Sequence, residues 1–212
     1  MARLAPSGRF FSFEGIDGSG KSTQCRLLAE TLRAHGHNVT LTREPGGSPG
    51  AEDIRRLVLQ GDPDRWSAET EILLFTAARR DHLEKTILPA LARGDVVITD
   101  RFADSTRMYQ GISRGDLVAV VDQLHDLMIG IEPDLTFLID IDAAMGLRRA
   151  QARAGHETRF EDMGLTLQKQ MRAGFLALAA QNPRFQVIEG DVDSTTVAAQ
   201  VTAGALAHLA RT

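Results

Sequence analysis

A glycine-rich stretch at residues 13–23, FEGIDGSGKST, is the part of the chain whose spacing most directly suggests chemistry. From Gly15 to Ser22 it satisfies the pattern G-x-x-x-x-G-K-[ST], between a predicted strand and a predicted helix. The glycines let successive backbone N–H groups point at phosphate oxygens, and the helix N-terminus adds partial positive charge. Lys21 would reach the β- and γ-phosphates, and Ser22 would bind Mg²⁺. The stretch therefore predicts a triphosphate-binding loop made of Gly15, Ile16, Asp17, Gly18, Ser19, Gly20, Lys21, Ser22 and Thr23.

Two arginines lie at the carboxyl ends of the next two predicted strands. Arg43 lies in TREPGG (42–47), and Arg101 lies in TDRF (99–102). Because ligands bind beyond the carboxyl ends of parallel strands, we expect both at the same edge as the glycine-rich loop. Arginine binds phosphate in a bidentate manner, so the pair predicts a clamp for a second, acceptor phosphate. Asp100 is placed to help hold Mg²⁺, directly or through water. Ordinary surface ion pairs are the alternative.

The segment EILLFTAARRDH (71–82) adds an aromatic ring and another arginine on one helix face. Phe75 and Arg79 are four residues apart, so they are neighbours on a predicted helix. The ring could stack on a planar base while the guanidinium donates to a base carbonyl. The helical spacing of the apolar residues by itself favours the alternative, in which Phe75 is a core residue and Arg79 is solvated.

The elements that must position these residues alternate along the chain. Strands are predicted at 9–15, 38–43, 95–99, 134–141 and 185–190. Helices are predicted at 21–35, 51–60, 67–93, 105–130 with a break near 111–115, 143–152, 161–181 and 194–210. Strands separated by helices predict an α/β fold, a parallel sheet covered by helices on both faces.

Composition limits the possible partners. The 212 residues carry a net charge of −4, which argues against a broad nucleic-acid-binding surface. A single cysteine, Cys25, allows no internal disulfide and fits a reducing compartment. The N-terminal residues lack an apolar signal core, and no apolar run approaches the ~20 residues that span a bilayer. We expect a soluble cytoplasmic protein with neither nucleic-acid nor membrane partners.

Taken together, FEGIDGSGKST, TREPGG, EILLFTAAR, DRF, STRMYQG and PDLTFLIDI resemble bacterial thymidylate kinases, which are P-loop nucleoside monophosphate kinases. The resemblance extends in order and spacing from about Arg9 to Arg159. It implies the P-loop NTPase fold with a five-stranded parallel sheet, one domain over 1–212, a short mobile lid at about 149–160, and a homodimer. It also implies transfer of the ATP γ-phosphoryl group to dTMP with Mg²⁺, giving dTDP and ADP for dTTP biosynthesis.

The resemblance implies roles in the acceptor pocket. Phe75 would stack on thymine, and Arg79 would hydrogen-bond its O4. Asp17 would meet the region of the sugar 3′-hydroxyl, and Tyr109 would crowd the 2′ position and disfavour ribose. The matching positions for the acceptor are Asp17, Arg43, Arg55, Phe75, Arg79, Arg101, Ser105, Tyr109 and Gln110, of which Arg43, Arg55 and Arg101 would hold the phosphate.

The family also uses a mobile arginine near the transferred phosphoryl group. Some members carry it in the glycine-rich loop, at the position that Gly18 holds here, so in this chain it would come from elsewhere. GLRRAQARAGHETRF resembles the lid that supplies it in other members, with Arg153 as first choice and Arg149 as second. The catalytic residues that the resemblance implies are therefore Lys21, Arg153, Arg149, Asp17 and Asp100.

Other readings of the sequence remain. A kinase acting on another nucleotide or a deoxynucleoside could use the same scaffold. A P-loop nucleotide switch would need an N-K-x-D segment to read guanine, and the sequence has none. Arg107 departs from the residues common in the family at that position. This extra cation could bind another phosphate or pair with an acid.

Overall fold

The structure is a computed structural model, and it describes residues 8–62, 65–112, 116–152 and 164–211. In these residues five strands form one parallel sheet in the order β2-β3-β1-β4-β5. The strands are β1 (Arg9–Glu14), β2 (Val39–Arg43), β3 (Val96–Asp100), β4 (Leu135–Asp140) and β5 (Phe185–Glu189). The predicted parallel sheet and the predicted strands are confirmed.

Helices connect the strands. They are α1 (Lys21–Ala34), α2 (Pro49–Leu59), α3 (Ala68–His82), α4 (Leu88–Ala92), α5 (Ala103–Thr106), α6 (Val118–Met128), α7 (Ala143–Gln151), α8 (Gly164–Gln181) and α9 (Ser194–Leu209). Two π-helical segments, Leu83–Ile87 and Arg107–Ile112, follow α3 and α5. Helix α2 begins earlier than predicted because Pro49, which needs no N–H partner, occupies the first turn.

The predicted helical stretch 67–93 is helical over nearly its whole length, but it is not one regular α-helix. The structure has α3, the π-helical segment Leu83–Ile87 and then α4. Pro89 offers no N–H to the carbonyl of Lys85, and its ring would clash with that carbonyl in a regular α-helix. The π-helical segment lies where the missing N–H of Pro89 removes this regular hydrogen bond, and proline is a common cause of such irregular helical turns.

Helices cover both faces of the sheet. On one face Phe11 and Phe13 pack with α1 and α9, burying Leu28 and Val201 in one cluster. On the other face Phe10 packs with the chain that follows α3, while α8 covers the β4 side. Successive β1 residues point to opposite faces, so Phe10 packs under one helical layer while Phe11 and Phe13 pack under the other.

The sheet brings three strand ends to one edge. Phe13 pairs with Asp100, and Arg43 also pairs with Asp100 in the register of the neighbouring strand. β1 lies between β3 and β4, so the connections from β1 and β3 leave in different directions and open a crevice at this edge. Among the described residues, no helix is long and apolar enough to cross a membrane.

Candidate active site

The glycine-rich turn between β1 and α1 requires glycine for two reasons. Gly15 and Gly18 have φ values of 136° and 80°, in the region that favours glycine. A Cβ on Gly15 would lie 2.6 Å from the Ile139 carbonyl oxygen, and one on Gly18 would lie 2.0 Å from the Gly146 carbonyl oxygen. The turn is therefore pressed against β4 and α7, and it leads directly into the N-terminus of α1.

Lys21 lies at the first position of α1 and is buried. Its Nζ donates to the carbonyl oxygens of Gly15 (3.0 Å) and Ile16 (2.8 Å) and to Ser19 Oγ (3.3 Å). Burial, together with the nearby positive charge of Arg101, lowers the pKa of Lys21 to about 8. The ammonium is thus held on the turn itself, where phosphate oxygens could replace the carbonyls.

Ser22 and Asp100 form the candidate Mg²⁺ site. Ser22 Oγ donates to Asp100 Oδ2, so a hydroxyl from α1 and a carboxylate from the end of β3 are adjacent. Mg²⁺ prefers oxygen ligands and commonly takes one or two from protein side chains, with phosphate and water completing the octahedron. The described residues contain no cluster of three or more His, Cys, Asp or Glu that could hold a metal alone. The two oxygens fit a metal that arrives with a nucleotide.

A cavity lies at the same edge, next to the turn. It is lined by Asp17, Glu44, Pro45, Arg55, Leu59, Phe75, Arg79, Arg101, Phe102, Ser105, Thr106, Tyr109 and Gln110. The structure therefore brings together all the predicted acceptor residues except Arg43. The lining combines one aromatic ring on α3, three guanidinium groups and the acid of the glycine-rich turn, a set that can hold a planar base and an anion.

Arg101 joins the cavity to the turn. It is the one non-glycine residue with positive φ (72°) among the described residues. Its guanidinium donates to Asp17 Oδ1 (2.5 Å), Ser105 Oγ (2.9 Å), Tyr109 OH (3.1 Å) and the Gly15 carbonyl oxygen (3.3 Å). Burial would lower the pKa of Arg101, but the neighbouring Tyr109 and carboxylates outweigh it and raise the pKa. The guanidinium stays charged.

The structure contradicts the alternative that Arg79 is solvated and Phe75 is a core residue. The Arg79 side chain is only 4% exposed, and its Nε donates to Glu44 Oε2 at 2.7 Å. Its Nη2 donates to the Phe102 carbonyl oxygen (3.2 Å) and to Thr106 Oγ1 (2.9 Å). Phe75 is half-buried, and both residues line the cavity.

Arg43 does not share the cavity with Arg101, so the expected two-arginine clamp is not formed in this structure. Its side chain is 56% exposed and lies 3.3 Å from the carboxylate of Glu52 on α2. Glu52 also accepts the Gly47 N–H at 3.0 Å, which keeps the carboxylate beside Arg43. Arg55 lines the cavity and donates to the Pro45 carbonyl oxygen at 2.6 Å.

Arg107 pairs with acids and does not line the cavity. Its guanidinium donates to Asp104 (2.7 Å), Asp122 (2.7 Å) and Glu132 (2.9 Å). Of the two roles considered for this extra cation, the ion pair is the one that the structure supports. The sequence signal for it was weak, because Asp122 and Glu132 are far from Arg107 along the chain.

Several residues at the site were missed from the sequence. Glu44 and Phe102 line the cavity. Glu14, fully buried at the end of β1, accepts from the Phe102 N–H (2.8 Å) and from Ser105 Oγ (2.6 Å). Burial, together with repulsion from Asp104, raises the pKa of Glu14 to about 7. A lone acid inside the apolar run FFSFE was the available signal.

The predicted lid lies mostly outside the described residues. Arg153, the first choice for the mobile arginine, and residues 154–160 are not described. Arg149 is exposed in the last turn of α7. Helix α7 itself contacts the glycine-rich turn through Gly146, so the helix that leads into the undescribed residues starts beside this turn.

The parallel sheet, the glycine-rich turn after β1 and the adjoining Ser22 and Asp100 oxygens define a P-loop nucleotide-binding protein. Residues 13–201 match the family model described as thymidylate kinase. The chain belongs to the thymidylate kinase family.

Individual relatives agree with this family over nearly the whole chain. A thymidylate kinase of Ruegeria pomeroyi is 71% identical over 210 residues, which cover 99% of this chain and 100% of that protein. One of Dinoroseobacter shibae is 65% identical over 207 residues, 97% of this chain and 98% of that protein. The crystal structure of thymidylate kinase from Ehrlichia chaffeensis has a TM-score of 0.75 and 39% identity, covering 94% of this chain and 99% of that one.

Proposed function

We propose that this chain is a dTMP kinase that transfers the γ-phosphoryl group of ATP to dTMP, giving ADP and dTDP in the pathway to dTTP. The observation that carries the proposal is the cavity in which Phe75 and Arg79 lie beside Arg101 and Asp17. Arg101 also contacts the Gly15 carbonyl oxygen, so this acceptor cavity adjoins the donor-binding turn. Membership of the family supports dTMP as the acceptor.

ATP would bind the turn formed by residues 15–23. Phosphoryl transfer needs positioning and charge neutralisation more than covalent chemistry. Lys21 would exchange its carbonyl partners for phosphate oxygens, and the backbone N–H groups at the start of α1 would add donors. Ser22 and Asp100 would hold Mg²⁺, whose charge offsets that of the phosphates.

The base and sugar of dTMP would occupy the cavity. Phe75 would stack on thymine, and Arg79 would donate to its O4. Asp17 and Tyr109, joined by a 2.7 Å hydrogen bond, would meet the 3′ and 2′ sides of the sugar. Ser105 and Gln110 complete this wall.

The phosphate of dTMP would be held by Arg101 and Arg55. Arg43 would join them by leaving Glu52, and this exchange costs little because an exposed ion pair contributes only about 0–1 kcal/mol. The attacking phosphate oxygen is already anionic, so the reaction needs no strong general base.

The lid at about 149–160 would supply the mobile arginine, with Arg153 first and Arg149 second. The contact between Gly18 and the Gly146 carbonyl supports a source outside the turn, since it leaves no room for a side chain at position 18. Arg153→Ala should lower kcat by about 10³-fold or more with little change in the KM for dTMP. An effect on KM alone would assign the role to another residue, and Arg149→Ala is the matched comparison.

An acceptor panel tests the function. ADP release, coupled to a spectroscopic assay, would be measured with ATP, Mg²⁺ and each common NMP and dNMP. The proposal expects dTMP to have the highest kcat/KM. A different best acceptor would favour a kinase of another nucleotide. ATP hydrolysis that no acceptor accelerates would favour a nucleotide switch.

A homodimer and a cytoplasmic location belong to the same proposal. Leu73 on α3 and Val120, Leu127 and Met128 on α6 are exposed apolar side chains. The two helices are joined where Arg80 donates to the Met128 carbonyl oxygen at 2.7 Å, which supports one continuous surface for a second copy. The buried free thiol of Cys25, the only cysteine, supports a reducing compartment.

A further inference from the structure

Arg79 depends on its neighbours for its orientation. Its Nε is held by Glu44, and its Nη2 is held by Phe102 and Thr106. These contacts leave Nη1 as the guanidinium nitrogen without a hydrogen-bond partner among the described residues. Without the Glu44 carboxylate, the buried Arg79 guanidinium would have no counter-charge, which is energetically costly. We therefore expect the Arg79 side chain to change its orientation when this carboxylate is removed.

Glu44 uses both of its carboxylate oxygens. Oε2 accepts from Arg79 Nε at 2.7 Å, and Oε1 lies 3.0 Å from His82 Nδ1. Burial would raise the pKa of Glu44, but the Arg79 guanidinium and the His82 imidazole outweigh it and hold the pKa below its ordinary value. The carboxylate is therefore charged and pinned between two partners on α3.

His82 is itself held on its other side. The ring is fully buried, and Nε2 lies 2.7 Å from Thr42 Oγ1 on β2. The Gly47 backbone covers this contact, since a Cβ there would lie 2.4 Å from both His82 Nε2 and Thr42 Oγ1. The imidazole thus has no space in which to turn. It ties the loop that carries Glu44 to the helix that carries Arg79.

We propose that Glu44 and His82 are positioning residues that make Arg79 selective for a pyrimidine bearing a carbonyl at C4. Thr42 fixes His82, His82 fixes one oxygen of Glu44, and the other oxygen sets the guanidinium so that Nη1 is the donor that remains for the base. The inference rests on the proposed function, because it assumes that the acceptor base binds beside Arg79. It adds a discriminating role for two residues that would not contact the substrate.

Comparing three acceptor nucleotides distinguishes a role in base selectivity from a general loss of activity. dTMP and dUMP both carry O4 and differ in a methyl group, whereas dCMP has an amino group at C4. In Glu44→Gln we expect the ratio of kcat/KM for dTMP over dCMP to fall by about 10- to 100-fold, the range for losing a hydrogen bond to a charged group. The ratio for dTMP over dUMP and the KM for ATP should stay within about twofold of the wild type.

Two His82 variants test the chain of contacts from Thr42 through His82 to Glu44. Both variants leave the Glu44 side chain itself unchanged. Asparagine can place an amide N–H near the position of Nδ1, whereas leucine offers no donor. His82→Leu should lower the dTMP-over-dCMP ratio, and His82→Asn should restore most of it. Glu84→Gln, which removes an exposed carboxylate that pairs with Arg80, is the matched control and should leave the ratio unchanged.

The results of these assays can refute the proposed function and the proposed role of Glu44 and His82 separately. A wild type that phosphorylates none of the three nucleotides would refute the proposed function and the inference together. A wild type that prefers dTMP, with an unchanged dTMP-over-dCMP ratio in Glu44→Gln and His82→Leu, would overturn the inference alone. Equal losses for all acceptors and for ATP would also overturn it, because they would indicate a purely structural role.

Discussion

Arg101 connects the glycine-rich turn to the cavity, because its side chain contacts the Gly15 carbonyl oxygen and also lines the cavity. Its left-handed backbone turns the side chain at the end of β3 toward Asp17 and Tyr109, and the stacked Tyr109 ring lies 5.0 Å from the guanidinium carbon. For a residue with a Cβ this backbone conformation costs about 1–2 kcal/mol. The surrounding hydrogen bonds must therefore hold the residue there.

The backbone strain at Arg101 can be measured by comparing two variants that both lose the guanidinium. Arg101→Gly should be more stable than Arg101→Ala by about 1 kcal/mol, because glycine adopts positive φ without steric cost. Urea unfolding of the two proteins gives the difference directly. An alanine variant as stable as the glycine variant would show that the residue is not strained.

Glu14 predicts a pH dependence of stability. Its pKa is raised to about 7 in the folded chain from an ordinary value of 4.5. Its contribution is therefore complete below pH 4.5 and is lost as the pH rises through 7. The wild type should lose about 3 kcal/mol between these limits relative to Glu14→Gln. Unfolding curves of both proteins from pH 4.5 to 8 check this, and parallel pH profiles would contradict it.

At the residue scale the sequence predicted the positions that a local pattern encodes. The glycine-rich turn is one, and the i, i+4 pair Phe75 and Arg79 is another. The expectation that Arg43 and Arg101 point into one cavity is not met in this structure, because Glu52 on a separate helix holds the Arg43 side chain away from the cavity. Glu44 and His82 meet across 38 positions, a contact that depends on how α3 packs against β2 and that no local pattern reports.

At the element scale, α7 is a support for the glycine-rich turn. A Cβ on Gly146 would lie 2.8 Å from the Asp17 carbonyl oxygen and 2.9 Å from the Ile16 Cδ1 atom. The turn and the helix that leads into residues 153–160 are thus packed backbone against backbone. A side chain between them would displace the turn.

Gly146→Ala should therefore impair ATP use more than folding. We expect kcat/KM for ATP to fall by about 10- to 100-fold, because small displacements of positioning groups cost rates of this order. Alanine also favours the helix by about 1 kcal/mol, which limits the loss of stability. Gly204→Ala on α9 is the control, since its Cβ would meet only the flexible end of Gln186. Equal ATP kinetics in both variants would exclude the supporting role.

Strands and helix ends were predicted well where the local residue type is itself informative. Short segments rich in apolar or β-branched residues predicted the five strands. Gly36 and Gly94, with φ values of 87° for each, end the helical stretches that precede β2 and β3. The π-helical segments were not foreseen, because they preserve the apolar spacing of a helix and shift only its hydrogen bonds. Pro89 was the single local indication of the first one.

At the scale of the whole molecule, the candidate site and the proposed dimer surface are formed by separate sets of residues. The turn after β1 and the end of β3 share the crevice, whereas Leu73 on α3 and Val120, Leu127 and Met128 on α6 are exposed and do not line the cavity. Leu127, 74% exposed, and Leu73, 58% exposed, are the most accessible large apolar residues of that surface. A second copy would remove them from water.

Leu127→Glu tests this surface. A charge at the centre of an apolar interface is costly to bury, so we expect a monomer at concentrations where the wild type is a dimer. Light scattering after size-exclusion chromatography gives the mass. Val187→Glu on the edge strand β5 changes an exposed apolar residue outside the surface and should leave the dimer intact. A dimeric Leu127→Glu protein would place the interface elsewhere.

The most direct test of the account is to follow the phosphorus atoms during the reaction. ³¹P NMR of the purified protein with ATP, Mg²⁺ and dTMP separates phosphoryl transfer from hydrolysis, because dTDP and inorganic phosphate have different resonances. The account predicts that ATP and dTMP disappear together while ADP and dTDP appear in equal amounts. Inorganic phosphate as the main product, or unchanged dTMP, would contradict it.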